Sequence, residues 1–380
     1  MSGFFTAPRI AWGPGAIEQL SGLGARRALV VVDPAVARAD GQRRIVEELG
    51  KSDVVIETIA DLLEPDRVAT VARLGSRARE LGVDWLIGVG GGRTLDAVKA
   101  ARIPAERPDL DLSAAPPMLE LAEPPRLRVA AVPTTAGSGS DASWAADLWT
   151  EAGAPVEIAH RALIPDWSVV DPQNVSSLPP ELRLEGAIET LGQATESYLS
   201  AWANPFSDAL AFDAVATVLA RLPHAIRWSD DPDAASALLY AATAAGLAAS
   251  NSQRGLAHAL ARAFQPATHL PYGRLLGIAL PVVLDFDYPS ARERIERLSG
   301  AGPEPEAGAR ASLAVQIRRL HDRYRFPLSL AAAGIPAGEL DLERSAIVER
   351  TLRSPATLAN PRVPSTKDAA ELVDAIVGRA

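Results

Sequence analysis

Continuous apolar runs alternate with helical stretches along the first half of this chain. A strand inside a parallel sheet is covered on both faces and therefore forms an uninterrupted apolar run, whereas a covering helix shows apolar residues at a period of 3.6. Alternation of the two kinds of segment predicts a mostly parallel sheet flanked by helices. The predicted strands are residues 28–33, 54–56, 85–89, 129–132 and 167–170.

The pattern changes after Asp171-Pro172. From Pro179 onward, alanine, leucine, arginine and glutamate recur at helical spacing, and the strand pattern does not return. We therefore predict an α/β domain over residues 1–178 and an all-α helical domain over residues 179–380. The first helix is expected to begin at the proline pair, because proline is favoured in the first turn of a helix. A surface loop is expected at 300–308.

Length and composition are typical of a globular protein of two domains. The chain has 380 residues, of which 48% are apolar and 22% charged, close to the averages for globular proteins. No apolar run reaches the roughly 18 residues of a membrane span, and the N-terminus does not resemble a secretory signal. We therefore expect a cytoplasmic protein that binds no membrane. The net charge of −9 argues against nucleic-acid binding, and the absence of cysteine excludes disulfides and thiolate metal sites.

A triple-glycine turn, Gly90-Gly91-Gly92, joins the strand predicted at 85–89 to a helical pattern. Glycines let the backbone approach a pyrophosphate, and the free N–H groups of the new helix then meet its charge. The turn therefore predicts a phosphate-binding loop. A tight turn that binds nothing is the alternative interpretation of the glycines alone.

Two more features follow predicted strands. Asp33 ends the first of them, where a carboxylate accepts hydrogen bonds from an adenosine ribose; an ordinary turn aspartate is the alternative. A second loop of small and hydroxyl residues, 133–141, contains Thr134, Thr135 and Ser138. A loop of this composition can be merely flexible, but two such loops at the ends of two strands predict a groove for one dinucleotide.

Together with further motifs, these loops resemble the iron-containing alcohol dehydrogenase family, a relative of dehydroquinate synthase and glycerol-1-phosphate dehydrogenase. The resemblance spans nearly the whole chain. It implies an N-terminal dinucleotide-binding α/β domain, a C-terminal helical domain and catalysis in the cleft between them. The further motifs are Pro8-Arg9-Ile10-Ala11-Trp12-Gly13-Pro14-Gly15-Ala16, Val170-Asp171-Pro172, Leu178-Pro179-Pro180-Glu181-Leu182 and Asn204-Pro205-Phe206-Ser207-Asp208-Ala209.

The resemblance implies a nicotinamide dinucleotide as cofactor. It places the three glycines 90–92 and Asp96 around the pyrophosphate. It places Thr134, Thr135 and Ser138 near the nicotinamide.

The resemblance also addresses the choice between NAD and NADP. Asp33 matches the family position that favours NAD, because a carboxylate there repels the 2′-phosphate of NADP. Arg93 departs from the family, which usually has serine after the glycines. This additional cation strengthens NAD binding, accepts a phosphorylated ligand or points to solvent, and the sequence leaves the three alternatives open, with NADP also possible.

The metal positions of the family are rewritten in this chain. Family members hold a divalent metal with an aspartate, a histidine four residues later on the same helical face, and two later histidines. Glu189 stands for the aspartate and Gln193 for the first histidine, while Arg254 and Tyr272 occupy the other two positions. His258 matches a further family histidine, which lies near the nicotinamide.

We therefore expect no metal at these positions, because an arginine keeps its charge and repels a metal ion beside it. His269 is a candidate for a displaced ligand, but one imidazole and one glutamate make a poor site for zinc or iron. We hypothesise that Arg254 pairs with Glu189 and supplies the positive charge that the metal gives to the substrate oxygen. A structural salt bridge that fills a vacated pocket is the alternative.

The remaining side chains suit carbonyl chemistry. A carbonyl that accepts a hydride develops negative charge on its oxygen, which a proton donor or a fixed cation stabilises. The candidate catalytic residues are therefore Arg254, His258, Tyr272 and Glu189. For His258, a packed core histidine is the alternative.

We predict an NAD(P)H-dependent, metal-independent oxidoreductase that acts on a small carbonyl, alcohol or imine, since an imine arrives protonated and needs no Lewis acid. Two alternatives remain: a non-redox lyase or cyclase that reuses the cleft, and a noncatalytic family member that serves as a partner subunit. Retention of both nucleotide loops favours the redox enzyme. The resemblance also implies a homodimer or a larger homo-oligomer.

Overall fold

The structure is a computed structural model that describes residues 4–38, 42–62, 64–114, 125–227, 231–303 and 311–379. Its strands are β1 (Arg9–Trp12), β2 (Arg27–Val32), β3 (Val55–Ile59), β4 (Trp85–Gly90), β5 (Arg128–Pro133), β6 (Ala145–Trp149), β7 (Pro155–Ala159) and β8 (Trp167–Val170). Its α-helices are α1 (Pro34–Arg38), α2 (Arg43–Gly50), α3 (Val68–Leu81), α4 (Gly92–Glu106), α5 (Pro180–Leu199), α6 (Pro205–Arg227), α7 (Pro232–Ser252), α8 (Leu256–Thr268), α9 (Tyr272–Ser299), α10 (Leu313–Tyr324), α11 (Arg344–Arg353) and α12 (Thr366–Val377).

Six strands form one parallel sheet in the order β1-β8-β5-β4-β2-β3, and β6 and β7 form a separate antiparallel hairpin. From β2 the chain first adds β3 on one side and then returns to add β4 on the other. The connections that follow β2 and β4 therefore diverge and leave a crevice at the carboxyl ends of these strands, which is where open parallel sheets bind ligands. The predicted parallel sheet with a helical second half is confirmed.

The side chains of β2 show how the sheet is covered. Leu29 and Val31 pack into the same cluster as residues of α3 and α4, whereas Val30 and Val32 pack on the opposite face with residues of α2. Successive strand residues point to opposite faces, so an all-apolar strand is buried only when helices cover both sides. The uninterrupted apolar run of β2 therefore requires this three-layer arrangement.

All five predicted strands occur, and the one predicted at 54–56 forms residues Val55–Ile59. The sequence pattern did not reveal β1 or the β6–β7 hairpin. β1 lies at the sheet edge and is largely exposed, and the hairpin alternates buried with partly exposed positions. Of the loop predicted at 300–308, residues 300–303 follow α9 as expected, and 304–308 lie outside the described residues.

The second half is helical, and α5 lies at its centre, packed against α6, α7 and α9. It begins at Pro180, as the proline pair predicts, although the division of the chain after residue 178 stays a prediction. Within the described ranges, α6 alone is long and apolar enough to cross a membrane by length and composition. Its Ala211, Val215 and Leu222 are fully buried against neighbouring helices, a pattern equally typical of a core helix.

The helical half contacts the second small-residue loop through backbone atoms. A Cβ added to Gly246 of α7 would overlap the backbone of Gly139, and one added to Gly186 of α5 would overlap the carbonyl group of Ala136. Both helices therefore approach the loop as closely as a backbone allows. This contact brings α5 and α7 against the carboxyl end of the sheet.

Replacing Gly246 by alanine is expected to lower the free energy of unfolding by about 1–3 kcal/mol, because the new methyl group overpacks the contact with Gly139. The matched control is Gly50→Ala at the end of α2, where nothing lies within 4 Å of the added Cβ. That variant should be at least as stable as the parent, because alanine favours the helix. Urea unfolding of both measures the difference, and equal stabilities would contradict the close approach.

Candidate active site

A cleft of about 800 Å³ lies where the helical half meets the carboxyl end of the sheet. Its walls come from both halves of the chain: the glycine turn, the second small-residue loop, the β6–β7 hairpin, α5, and the segments around α8 and the start of α9. A cavity of this size at the end of a parallel sheet is suited to a cofactor and a small substrate.

The glycine turn forms the end of β4 and the start of α4. Gly91 is the N-cap residue, and no described side chain caps the helix, so first-turn N–H groups remain available for an anion. Small residues are required here by crowding: a Cβ on Gly90 would lie 2.9 Å from Cβ of Asp33, and one on Gly92 would lie 2.7 Å from Cβ of Ser138. The turn is thus packed tightly between the two other features that the sequence singled out.

Asp33 lies beside the glycine turn, where β2 ends. Its carboxylate accepts hydrogen bonds from the backbone N–H of Ala35 at 2.8 Å and the hydroxyl of Thr94 at 3.3 Å. It therefore sits at the crevice between β2 and β4, with its orientation fixed by the first residues of α1 and α4.

Arg93 forms two hydrogen bonds with Asp66, from Nε at 2.9 Å and from a terminal nitrogen at 2.6 Å. Asp66 is almost fully buried, while 63% of the Arg93 side chain stays exposed and lines the cleft. Arg93 is therefore both paired and mostly exposed, and the three alternatives for this arginine stay open. The ion pair holds the guanidinium beside the open N-terminus of α4.

Asp96 helps to connect α4 to the β6–β7 hairpin. Its carboxylate is 2.9 Å from the ammonium of the fully buried Lys99 and accepts the backbone N–H of Asp147 at 3.1 Å. Burial raises the pKa of Asp96, and Lys99 opposes that rise. Lys99 in turn donates to the hydroxyl of Ser143 at 2.9 Å and to the carbonyl oxygen of Ala145 at 2.5 Å. This network ties α4 to the β6–β7 hairpin.

The second small-residue loop faces the glycine turn across the cleft. Thr135 and Ser138 line the cleft, whereas Thr134 is buried and donates its N–H to the carbonyl oxygen of Gly90 at 3.0 Å. From the helical half, the amide of Gln193 donates to the carbonyl oxygens of Ser138 at 2.7 Å and Gly137 at 3.3 Å. Gln193 therefore fixes the conformation of this loop.

The four side chains at the family's metal positions do not form a set of metal donors. Gln193 uses its amide N–H groups on the loop, Arg254 carries a guanidinium, and Tyr272 presents a phenol, which leaves the carboxyl group of Glu189. Iron and zinc sites require three or more carboxylate, imidazole or thiolate ligands. Among the described residues no group of three or more such side chains is placed to hold a metal, and His269 lies exposed at the rim.

Arg254 does not pair with Glu189, which corrects the hypothesis drawn from the sequence. Its guanidinium donates instead to both carboxylate oxygens of Asp147 on β6, at 2.9 and 3.4 Å. Burial alone would raise the pKa of Asp147, but Arg254 and Arg262 outweigh it and hold that pKa far below its usual range. The partner comes from the hairpin that the sequence pattern did not reveal, so the pairing could not be predicted.

Glu189 faces the cleft and has a strongly shifted pKa. Burial raises its pKa to about 8, the charge of Asp96 adds to the rise, and Arg254 opposes it. A carboxyl group in this environment is mostly protonated at neutral pH. Glu189 therefore presents a hydrogen-bond donor to the cleft at neutral pH.

His258 and Tyr272 form a hydrogen-bonded pair, with 2.6 Å between Nδ1 and the phenolic oxygen. His258 is fully buried, and Nε2 has no partner among the described residues. Burial, assisted by Arg254, lowers the pKa of His258 well below its usual value, so the imidazole is neutral. Burial raises the pKa of Tyr272 well above its usual value, and Arg254 opposes that rise. Because Tyr272 lines the cleft, the pair joins a neutral base to a protonated phenol at the cleft wall.

The N-terminus of α8 follows Arg254 directly and contains His258, and two side chains from other segments hold it in place. Glu196 accepts the backbone N–H of His258 at 3.1 Å, and Asn360 accepts that of Leu256 at 3.0 Å. Carboxylate and amide oxygens at a helix N-terminus satisfy its free N–H groups. Glu196 lies seven residues after Glu189 on α5, which places both side chains on the same face of the helix. The sequence could therefore have indicated Glu196.

Three other residues of the site were missed. Arg262 follows His258 by four residues, as His258 follows Arg254, so this repeated helical spacing was a signal for it. Asp66 and Asp147 offered no such signal, because each reaches the cleft from a segment distant in sequence.

The fold and the cleft define a dinucleotide-type α/β domain joined to a helical domain, with candidate catalytic groups between them. The family model of the iron-containing alcohol dehydrogenases matches residues 7–172, and the model of the C-terminal part of the Fe-containing alcohol dehydrogenase family matches residues 184–377. The chain therefore belongs to the iron-containing alcohol dehydrogenase family. Its predicted place among the NAD(P)-dependent dehydrogenases and reductases is confirmed at that level.

Relatives and solved structures agree with this assignment. The chain is 29% identical to NADPH-dependent butanol dehydrogenase of Clostridium saccharobutylicum over 94% of each chain. It is 32% identical to the probable alcohol dehydrogenase EutG of Salmonella typhimurium, over 81% of this chain and 75% of that protein. The structure of an iron-containing alcohol dehydrogenase from Thermococcus thioreducens superposes with a TM-score of 0.89 at 25% identity, covering 99% of this chain and 100% of that one.

A buried carboxyl group near the N-terminus of α8 makes the stability of the fold depend on pH. Burial raises the pKa of Asp287 to about 7, although Asn360 donates a hydrogen bond to it at 2.7 Å. An unfolded aspartate has a pKa of about 3.9, so between these values the folded chain keeps a proton that the unfolded chain has lost. The stabilising contribution of this group is complete below about pH 4 and is lost as pH rises toward 7.

Replacing Asp287 by asparagine removes this titration and retains an oxygen acceptor for Asn360. We expect the stability of the variant relative to the parent to increase from pH 5 to pH 7, by up to about 1.4 kcal/mol per pH unit. Urea unfolding across this range measures the difference. The control is Asp322→Asn at an exposed position, whose stability should follow that of the parent. A pH-independent difference for the Asp287 variant would contradict a proton held at this position.

Proposed function

We propose that this chain is an NAD(H)-dependent reductase of a small carbonyl or imine, or a dehydrogenase of the corresponding alcohol, that works without a resident metal. The proposal rests on one observation above all: the phenol of Tyr272 lines the cleft and is 2.6 Å from Nδ1 of a neutral, buried His258. Carbonyl reduction requires a proton donor, and the phenol of this pair supplies it.

The cofactor half supports the same conclusion. When bound, NADH supplies the hydride. Residues 90–92 and the uncapped N-terminus of α4 bind the pyrophosphate, with the Arg93 guanidinium as an additional cation beside it. Thr135 and Ser138 line the cleft and would face the nicotinamide, and Asp96 keeps α4 in place.

The cofactor preferred is NAD. Asp33 stands at the end of β2 with its orientation fixed by Ala35 and Thr94, so its carboxylate accepts hydrogen bonds from ribose hydroxyls and repels a 2′-phosphate.

Tyr272 donates its proton to the substrate oxygen as that oxygen gains negative charge. The resulting phenolate is stabilised by Arg254, whose positive charge already opposes the raised pKa of this tyrosine. In the tautomer that carries its proton on Nδ1, His258 donates to the phenolic oxygen and leaves the phenolic proton free for the substrate oxygen. The phenolate then regains a proton from solvent that enters the cleft. Glu189, protonated at neutral pH, adds no negative charge beside the developing alkoxide.

The purified protein is expected to reduce small aldehydes, ketones or imines with NADH and to contain only traces of iron and zinc. Dialysis against a chelator should leave the rate of reduction unchanged. Gln193 and Arg254 hydrogen-bond protein acceptors and replace two imidazole ligands poorly, so no metal is bound that a chelator could remove. Metal analysis by plasma mass spectrometry, done on the same samples as the assay, measures both. One equivalent of either metal, with activity lost on chelation and restored by that metal, would contradict the metal-free mechanism.

Replacing Tyr272 by phenylalanine is expected to lower kcat about 10²–10⁴-fold, since a general acid in the transition state is removed. NADH affinity, measured by fluorescence titration, should not change because the hydroxyl faces His258 on the substrate side. The control Tyr288→Phe removes a hydroxyl that hydrogen-bonds Glu296 at the surface, and it should leave kcat unchanged. Full activity of the Tyr272 variant would assign the proton transfer to another group.

A further inference from the structure

Two arginines line one wall of the cleft, and among the described residues only Arg254 hydrogen-bonds an acidic side chain. Arg254 and Arg262 both line the cleft, and Arg254 donates to Asp147. Arg262 donates to the carbonyl oxygen of Leu148 at 3.2 Å and the side-chain oxygen of Gln265 at 3.3 Å, both of them neutral acceptors. The guanidinium of Arg262 also lies 4.0 Å above the ring of Trp149, and its Nε has no partner among the described residues.

The other acidic residues of the cleft do not balance this wall. Glu189 lies against the second small-residue loop, where a Cβ on Gly137 would lie 2.9 Å from one of its oxygens, and burial raises its pKa to about 8 although Arg254 opposes the rise. Glu151, at the exposed rim, accepts the backbone N–H of Ala69. The remaining acidic residues of the lining each have a basic partner of their own: Asp66 with Arg93, Asp96 with Lys99, and Glu185 with Arg274.

Behind the wall lies Glu157 of the hairpin, whose pKa is raised by burial and by the charge of Asp147, while Arg262 and Arg254 oppose the rise. Of the acidic residues that line the cleft, Asp147 hydrogen-bonds Arg254, and Arg262 donates to neutral acceptors alone among the described residues. This wall therefore presents a guanidinium that has no hydrogen-bonded carboxylate.

We propose, on the basis of the function proposed above, that the carbonyl substrate carries a carboxylate and that Arg254 binds this carboxylate. A guanidinium has five N–H donors, of which Asp147 occupies two. The Arg254 side chain is 18% exposed toward the cleft, so further donors are accessible to substrate. A carboxylate there forms charge-assisted hydrogen bonds. The substrate class is therefore a small oxo acid.

The first measurement compares 4-oxobutanoate with its methyl ester, which has nearly the same shape and no charge. With NADH as reductant, we expect kcat/KM to be about 10- to 100-fold higher for the acid, the effect of a charge-assisted hydrogen bond. Arg254→Met should abolish this preference, and Arg254→Lys should restore part of it. The control Arg67→Met removes another arginine of the cleft, one held by Thr150 and Glu64, and should keep the preference of the parent.

The second measurement does not depend on turnover. Calorimetric titration of the NADH-loaded protein with butanoate and with neutral butanamide reports binding alone. Butanoate should bind about 10- to 100-fold more tightly than butanamide to the parent and to Arg67→Met. Arg254→Met should bind the two compounds with the same low affinity. Retained NADH binding and an unchanged circular dichroism spectrum show that each variant is folded.

The outcomes separate the two proposals. NADH-dependent reduction of acid and ester with equal kcat/KM would overturn the carboxylate inference and leave the reductase function standing. Absence of turnover for both compounds would contradict the proposed function, and the titration then decides the inference by itself. Preferential butanoate binding that is lost in Arg254→Met supports the inference. Equal binding of butanoate and butanamide, or a preference that survives in Arg254→Met, overturns it.

Discussion

The cleft depends on a backbone-to-backbone contact between the second small-residue loop and the helical half. Gly139 meets Gly246 of α7, and Ala136 meets Gly186 of α5, at separations that leave no space for a Cβ. On its other side the same loop is packed against Gly92 of the glycine turn through Ser138. One short segment therefore fixes the distance between the nucleotide-binding loops and the helices that carry the candidate catalytic side chains.

This close approach also sets the electrostatics of the site. It removes water from the side chains at the junction, and burial then becomes the largest influence on the pKa of Glu189, His258 and Tyr272. In each case the neutral form is favoured, because a low-dielectric environment disfavours charge. Arg254 and Asp147 stay ionised in the same region because they are paired. The result is a set of neutral proton donors and acceptors beside the ion pair of Arg254 and Asp147.

Two of the side chains at the positions that the resemblance assigns to a metal have other partners in this chain. Gln193 donates to the loop at Gly137 and Ser138. Arg254 forms an ion pair whose partner lies on the hairpin. Glu196 and Asn360 hold the N-terminus of α8, and the buried His258 is linked to the cleft through Tyr272.

The sequence by itself determined the parallel sheet, the helical second half, the glycine turn and the place of Asp33, because these features follow from local periodicity and from residue types that turns require. The assignment of altered metal positions, which rests on the resemblance to the family, stays a prediction. Only the tertiary structure decided which charges meet. Packing determines three ion pairs at the site: Arg254 with Asp147, Arg93 with Asp66, and Lys99 with Asp96. Two of these pairs join segments distant in the chain, and in all three burial, which no local pattern records, gives the pairing its strength.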